Sequence, residues 1–400
     1  MTGQFLPDAG RPSADSADRT APATKRRRFL QTLGGLFAAS QLPSSTILLA
    51  PRFAATHPSL MDTIRWPQPI GSPVLDSLRP VIEHSRDVHT HVDKISEVAA
   101  WMAYEDLPMP EYALPFGIGA NDPNVAIDFI MVSDSIDTAF TDFSTHVKFQ
   151  TDYAGRSWSD SEAEFACLKR AMDKGIPILD GQWMASVTRA ELAAIFSGNI
   201  EMPMLDEKLA VLHEVGPVLV KKYNGRFSNF IHSCPPKLYD GGHGIIDRLT
   251  VEFPRFNDVS TYEGHEIKFY KLAQLGVWMI YANLHKSSPT GPPGFQLDDL
   301  SAMTAFADYI VPVALRLLGI TSYSPALEKA INSYQLIPRD STQEIEIRAH
   351  CLYATALLRE EINKIRPKDM QIIIPQVDAR LWTHYHTTFW PHHLTRTTMY

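Results

Sequence analysis

Cysteine is scarce in this chain: Cys167, Cys234 and Cys351 are the only three in 400 residues. They lie far apart, in no spacing typical of metal ligands. An odd, sparse set argues against a disulfide framework and fits a reducing compartment. A basic excess is also missing. Lys and Arg total 37 against 45 Asp and Glu, a net charge of −8. Proteins that hold nucleic acid electrostatically carry the opposite balance. A nucleotide ligand is therefore expected to be a small molecule in a pocket, with no direct nucleic-acid binding. Long apolar runs are absent too. No segment reaches the roughly 20 residues that span a bilayer, so no membrane partner is expected. The sequence does not specify an oligomeric state.

What is present is apolar material at 44% of the chain, enough for one large core or two modest ones. Residues 1–60 read as a tail. The first 24 are rich in Ala, Ser, Pro, Asp and Gly, a composition that does not fold. Lys25, Arg26, Arg27, Arg28, Phe29 and Leu30 follow, then a weakly apolar stretch from Leu33 to Ala50. Paired arginines ahead of a weak apolar segment look like a twin-arginine export signal. The plainer alternatives are a disordered tail, or a start that really lies at Met61. A cytoplasmic location is expected, with export through Arg26 and Arg27 as the alternative.

From about Leu75 the apolar period is helical. Val81 to Met102 carries one buried stripe (Val88, Val92, Ile95, Val98, Ala99, Met102). Val125 to Val132 is a short β-rich run, either a buried strand or the start of a helix. Helices are expected over 161–174, 189–196, 206–222, 244–251, 270–284, 299–319, 324–334 and 341–363. Gly175 and Pro177 supply one normal stop. Ser287 to Gly294 reads as a surface loop. The expectation is a mainly α, single domain over 61–400 with few short strands.

Three clusters carry chemistry-bearing side chains. Asp87, His89, His91 and Asp93 resemble the first ligands of a metal-dependent amidohydrolase. Inside a helical stripe, however, residues two apart point about 200° from each other and share no ion; solvated helix histidines are the expectation, and no metal. His384, His386, His392 and His393 form a histidine-rich tail without carboxylates, read as packing or surface. The third cluster is the informative one. Met303 to Pro312 sets Asp308 among apolar and aromatic neighbours, and Pro312 fits a helix's first turn. Asp308 then caps that helix, its carboxylate held ionised by backbone N–H groups. A carboxylate so fixed in a water-poor pocket suits a cationic, sugar-like transition state. A plain cap worth about 1 kcal/mol is the competing reading.

A resemblance to a known family weights that choice. Phe306, Ala307, Asp308 and Tyr309, then Val311, Pro312, Leu315, Leu318 and Gly319, resemble the signature of the queuosine-salvage family. So does the block Glu344, Ile345, Glu346, Ile347, Arg348. Upstream, Phe253, Pro254, Phe256 and Asp258, then Tyr262 and Gly264, then Phe269, Tyr270, Lys271, Ala273 and Gln274 are similar in the same order, and Asp378, Leu381 and Trp382 match near the end. The likeness runs from about residue 75 to 400.

The resemblance implies a helical fold like that of the helix-hairpin-helix DNA glycosylases, with Lys271 and Asp308 in analogous places. It implies hydrolysis of queuosine 5′-phosphate to free queuine for tRNA modification, with no cofactor. Asp308 would be the nucleophile or transition-state stabiliser, Phe306 would stack on the ligand, Asp378 would contact the base and Lys271 the sugar-phosphate. Tyr309, Ala379, Trp382 and Thr383 complete the implied substrate-binding set. Several positions depart from the pattern. Leu272, Met279, Ile310 and Val313 stand where the family carries polar or charged groups, and Ala379 and Thr383 replace an aromatic and an acid. Losing polar partners of a base costs discrimination. The alternative function is therefore a non-catalytic or re-specialised nucleoside-binding paralogue.

Overall fold

Apolar residues recurring every three to four positions bury one face when wound into a helix, and helix is what most of the chain forms. The computed structural model describes residues 64–286, 294–388 and 390–400. The expected tail with Arg26 and Arg27, and Ser287 to Pro293 of the expected loop, lie outside the described residues. Among the described residues the fold is mainly α. It has three two-stranded antiparallel ribbons: Val88–Thr90 with Thr321–Tyr323, Gln150–Tyr153 with Arg156–Ser159, and Val259–Tyr262 with His265–Lys268.

The helices Asp160–Asp173, Arg189–Ile195, Leu205–Lys222, Ile245–Glu252, Lys271–Leu284, Pro325–Asn332 and Thr342–Ile365 fall within two residues of their expected bounds. The β-rich run at 125–132 is part of the helix Pro123–Ile136. Asp122 caps it by accepting from the Asn124 N–H, and Ala126 to Ile136 are all buried. A helix buried on every side has no polar face, so its period cannot be read.

Two expectations are corrected. The stripe at 81–102 is not one helix: Arg79–His84 and Val92–Met102 are separated by the strand Val88–Thr90. The break has a cause. The Glu346 carboxylate accepts the N–H groups of Arg86, Asp87 and Val88 at 3.0, 2.7 and 3.0 Å, which a continuing helix would have used internally. The second concerns 299–319. It holds only a 3₁₀ turn, Leu300–Ala302, and the helix Ile310–Leu317, with irregular chain between. The helix Ile374–Tyr385 was not anticipated.

Thr342–Ile365 is the central element. It packs against Val92–Met102, Ile310–Leu317 and Ile374–Tyr385, and Glu344 to Leu358 are all buried. Its charged groups are therefore obliged to find partners inside the protein. Beside it, Lys271–Leu284 packs on Pro123–Ile136. Gly276 allows that approach: a Cβ there would stand 2.7 Å from Asp134 Oδ2.

Candidate active site

Helix Ile310–Leu317 begins where the irregular segment 303–309 ends, and its first N–H groups have no carbonyl partner. Asp308 supplies one. Its Oδ1 accepts from Ile310 at 2.9 Å and from Val311 at 3.0 Å, and Pro312, which has no N–H to lose, follows in the first turn. The carboxyl group is buried. Burial pushes its pKa up, while the Val311 N–H, the Lys271 charge, the Ile310 N–H and a hydrogen bond from the Trp382 side chain pull it down.

Asp378 lies on Ile374–Tyr385. Its Oδ1 accepts the Phe306 N–H at 2.9 Å. Burial first, then the negative neighbour Asp308, holds it well above the usual carboxylate range. Both acids are thus pushed up by burial, Asp308 against two backbone N–H donors and Asp378 against one.

Lys271 is the first residue of its helix, reached through Tyr270 in a left-handed conformation (φ 49°) after the ribbon Val259–Lys268. Its N–H donates to Asp258 Oδ2 at 3.3 Å. Its Nζ stands 3.7 Å from the Asp137 carboxylate, and the buried ammonium acts on both Asp308 and Asp378.

The structure thus gathers Asp308, Asp378, Lys271, Phe306 and Trp382. Phe306 is buried, with its ring 6.4 Å from that of Trp278. Trp382 is exposed and stacks on His386 at 4.5 Å. Tyr309 lines a cleft of about 450 Å³ with Phe140, His146, Tyr334, His392 and Tyr400, and none of Asp308, Asp378, Lys271, Phe306 and Trp382 is among the residues that line it. Its ring lies 4.5 Å from that of His392. On the same helix as Asp378, Ala379 is half-buried and Thr383 exposed.

Both histidine clusters look different in three dimensions. His89 and His91 flank one strand residue, where positions two apart share a face, and their rings are 4.8 Å apart. The helical argument against a shared ion therefore fails. Among the described residues, however, no third His, Cys, Asp or Glu joins them in a group that could hold a metal; His91 instead pairs with Ser322. In the tail, His392 and His393 line the cleft, and His393 is buried.

Other functional-looking groups were given no role from the sequence. Asp134 is buried with neither carboxylate oxygen hydrogen-bonded among the described residues, and burial pushes it well up, against the pull of Lys271. Lys208, also buried, donates to the Ile136 and Thr138 carbonyls at 2.6 and 2.5 Å and stands 3.7 Å from Glu164. It fixes the chain around Asp137, the partner of Lys271. The available signal was spacing: read as helix, Asp134 and Asp137 stand three apart on one face.

Comparison with known proteins places these observations. Residues 119–400 match the family described as queuosine salvage protein. A queuosine 5′-phosphate N-glycosylase/hydrolase of Sphaerobacter thermophilus is 32% identical over 330 residues, covering 82% of this chain and 97% of that one. Proteins of the same name from Bos taurus and Schizosaccharomyces pombe are 27% and 28% identical; each alignment covers 78% of this chain and 90% of the relative.

Proposed function

Because the chain belongs to the queuosine salvage protein family, we propose that it is an N-glycosidase that hydrolyses queuosine 5′-phosphate and releases queuine for reuse in tRNA modification. The observation that carries the reading is Asp308: an acid pinned by two backbone N–H groups, buried, and within the electrostatic reach of a lysine and a second buried acid. Glycosidic cleavage commonly uses a pair of acids.

As the bond from the anomeric carbon to the base nitrogen breaks, its electron pair leaves with the base. Positive charge grows on the sugar, and the Asp308 carboxylate offsets it in a site that excludes water. Its Oδ1 is held by helix-start donors, so little reorganisation accompanies the charge change. Water then adds its hydroxyl to the anomeric carbon and its proton is left for the base, giving queuine and ribose 5-phosphate. Asp378, its pKa pushed up by burial, meets the base. Lys271, a compact point charge, meets the sugar-phosphate. Phe306, Tyr309, Ala379, Trp382 and Thr383 complete the substrate contacts.

The same reading takes the fold as that of the helix-hairpin-helix glycosylases, supported by a lysine at one helix start and the acid at another. The protein acts in the cytoplasm as a single catalytic domain over 61–400. The experiment is to incubate the pure protein with queuosine 5′-phosphate and follow free queuine by mass spectrometry. Stoichiometric release is the expected result. Ligand-induced thermal stabilisation without product would favour a binding paralogue instead.

A further inference from the structure

Arg348 is the largest fully buried side chain among the described residues, 1% exposed, and the chemistry described above does not use it. Its hydrogen bonds run to both halves of the site. Nη1 and Nη2 bind the two Asp258 oxygens at 3.0 and 2.5 Å, and Nε donates to the Ala307 carbonyl at 3.2 Å. Ala307 immediately precedes Asp308. Asp258 in turn accepts the Lys271 N–H on its carboxylate, and the Phe269 and Tyr270 N–H groups on its carbonyl at 2.9 and 3.2 Å. One guanidinium therefore bridges the residue before the acid and the residues that start the lysine's helix. Two rings pack on the guanidinium, Phe269 at 4.0 Å and Tyr400 at 4.4 Å.

A buried ion pair is weak grounds for a purely stabilising role, since well-packed apolar residues of like volume often do as well. The bond to Ala307 is not part of the ion pair at all. It makes sense as registration. Building on the glycosidase reading, we propose that Arg348 is a positioning residue that sets the separation between the Asp308 carboxylate and the Lys271 ammonium through Ala307 and Asp258. Arg348 is not among the residues that line the cleft, whereas Tyr400, which packs on its guanidinium, is. Only a planar fork makes all three bonds at once, so lysine cannot replace it.

The test measures queuine release from queuosine 5′-phosphate by the full chain, with melting temperature recorded for each variant. Arg348→Ala is expected to lower kcat about a hundredfold, the scale of a 1 Å misplacement, with KM nearly unchanged. Added guanidinium is expected to restore at least about tenfold of kcat, where sodium chloride of equal ionic strength does not. Should Arg348→Ala not fold, Arg348→Lys keeps the charge and loses the fork, and is expected to lose kcat at least about tenfold while folded. Folded variants with wild-type kcat, losses confined to KM, or guanidinium that raises the melting temperature without raising kcat would overturn the proposal. An inactive wild type would instead sink the glycosidase reading, and this inference with it.

Discussion

A carboxylate stabilises a growing cation only while ionised, so in the proposed mechanism the protonation of Asp308 sets the acid limit of the reaction. Burial raises its pKa above the ordinary aspartate value of about 3.9. Activity is therefore expected to fall, as pH is lowered, at a pH higher than an exposed aspartate would give; kcat measured from pH 4 to 8 reads this directly. Burial pushes Asp378 toward the neutral form, which an amide imitates while its oxygen still accepts the Phe306 N–H. Asp378→Asn is expected to change stability at pH 7 by less than about 1 kcal/mol, whereas Asp378→Ala strands that N–H and costs about 1–3 kcal/mol. Denaturant unfolding of the two variants separates these outcomes. Asp308 was legible in the sequence because its cap is local: the acid, three residues and Pro312 suffice to place it. Asp378 and Asp308 as a coupled pair were not, since 70 residues separate them and only packing brings the charges together.

Elements show the same division between local and distant causes. Helices ended by ordinary signals, such as Asp160–Asp173 with Gly175 beyond it, could be read from period and stop alone. The strand Val88–Thr90 could not, because its partner lies at Thr321–Tyr323 and the acceptor that unwinds the chain before it is Glu346. The helix Pro123–Ile136 was ambiguous for a different reason, its burial on every side. Its close contact with Lys271–Leu284 is testable. Gly276→Ala would place a Cβ 2.7 Å from Asp134 Oδ2 and 3.0 Å from the Met131 sulfur, pushing apart the helices that hold Asp134 and Lys271. A loss of about 1–3 kcal/mol is expected, as for other overpacked cores, and activity is expected to fall with it. A variant as stable and active as wild type would show that the two helices need not approach so closely.

At the scale of the whole molecule, the buried acids make stability depend on pH. Glu164 is pushed up to about 8, chiefly by burial. The folded chain thus keeps a proton that the unfolded chain releases near pH 4.3, and stability drains away as pH rises between those values. His350 and His393, lowered to about 3 by burial, act oppositely. The unfolded chain takes up their protons below about 6.5 and the folded chain does not, so they favour folding as pH rises from about 3 to 6.5. Above that their contribution is constant. The melting temperature is therefore expected to decline from pH 6.5 to 8, and less so in Glu164→Gln, which cannot ionise. A flat or rising profile in the wild type would contradict the assignment. No helix among the described residues is long and apolar enough to cross a membrane.

The most direct test of the account is the single-turnover rate of base release from queuosine 5′-phosphate by Asp308→Asn, compared with wild type at equal fold stability. The amide keeps the shape and the oxygen that caps the helix but removes the negative charge. A fall on the order of a thousandfold is predicted, the scale on which one stabilising group at a reacting centre acts. Release at the wild-type rate would mean that the charge of Asp308 plays no part in breaking the bond.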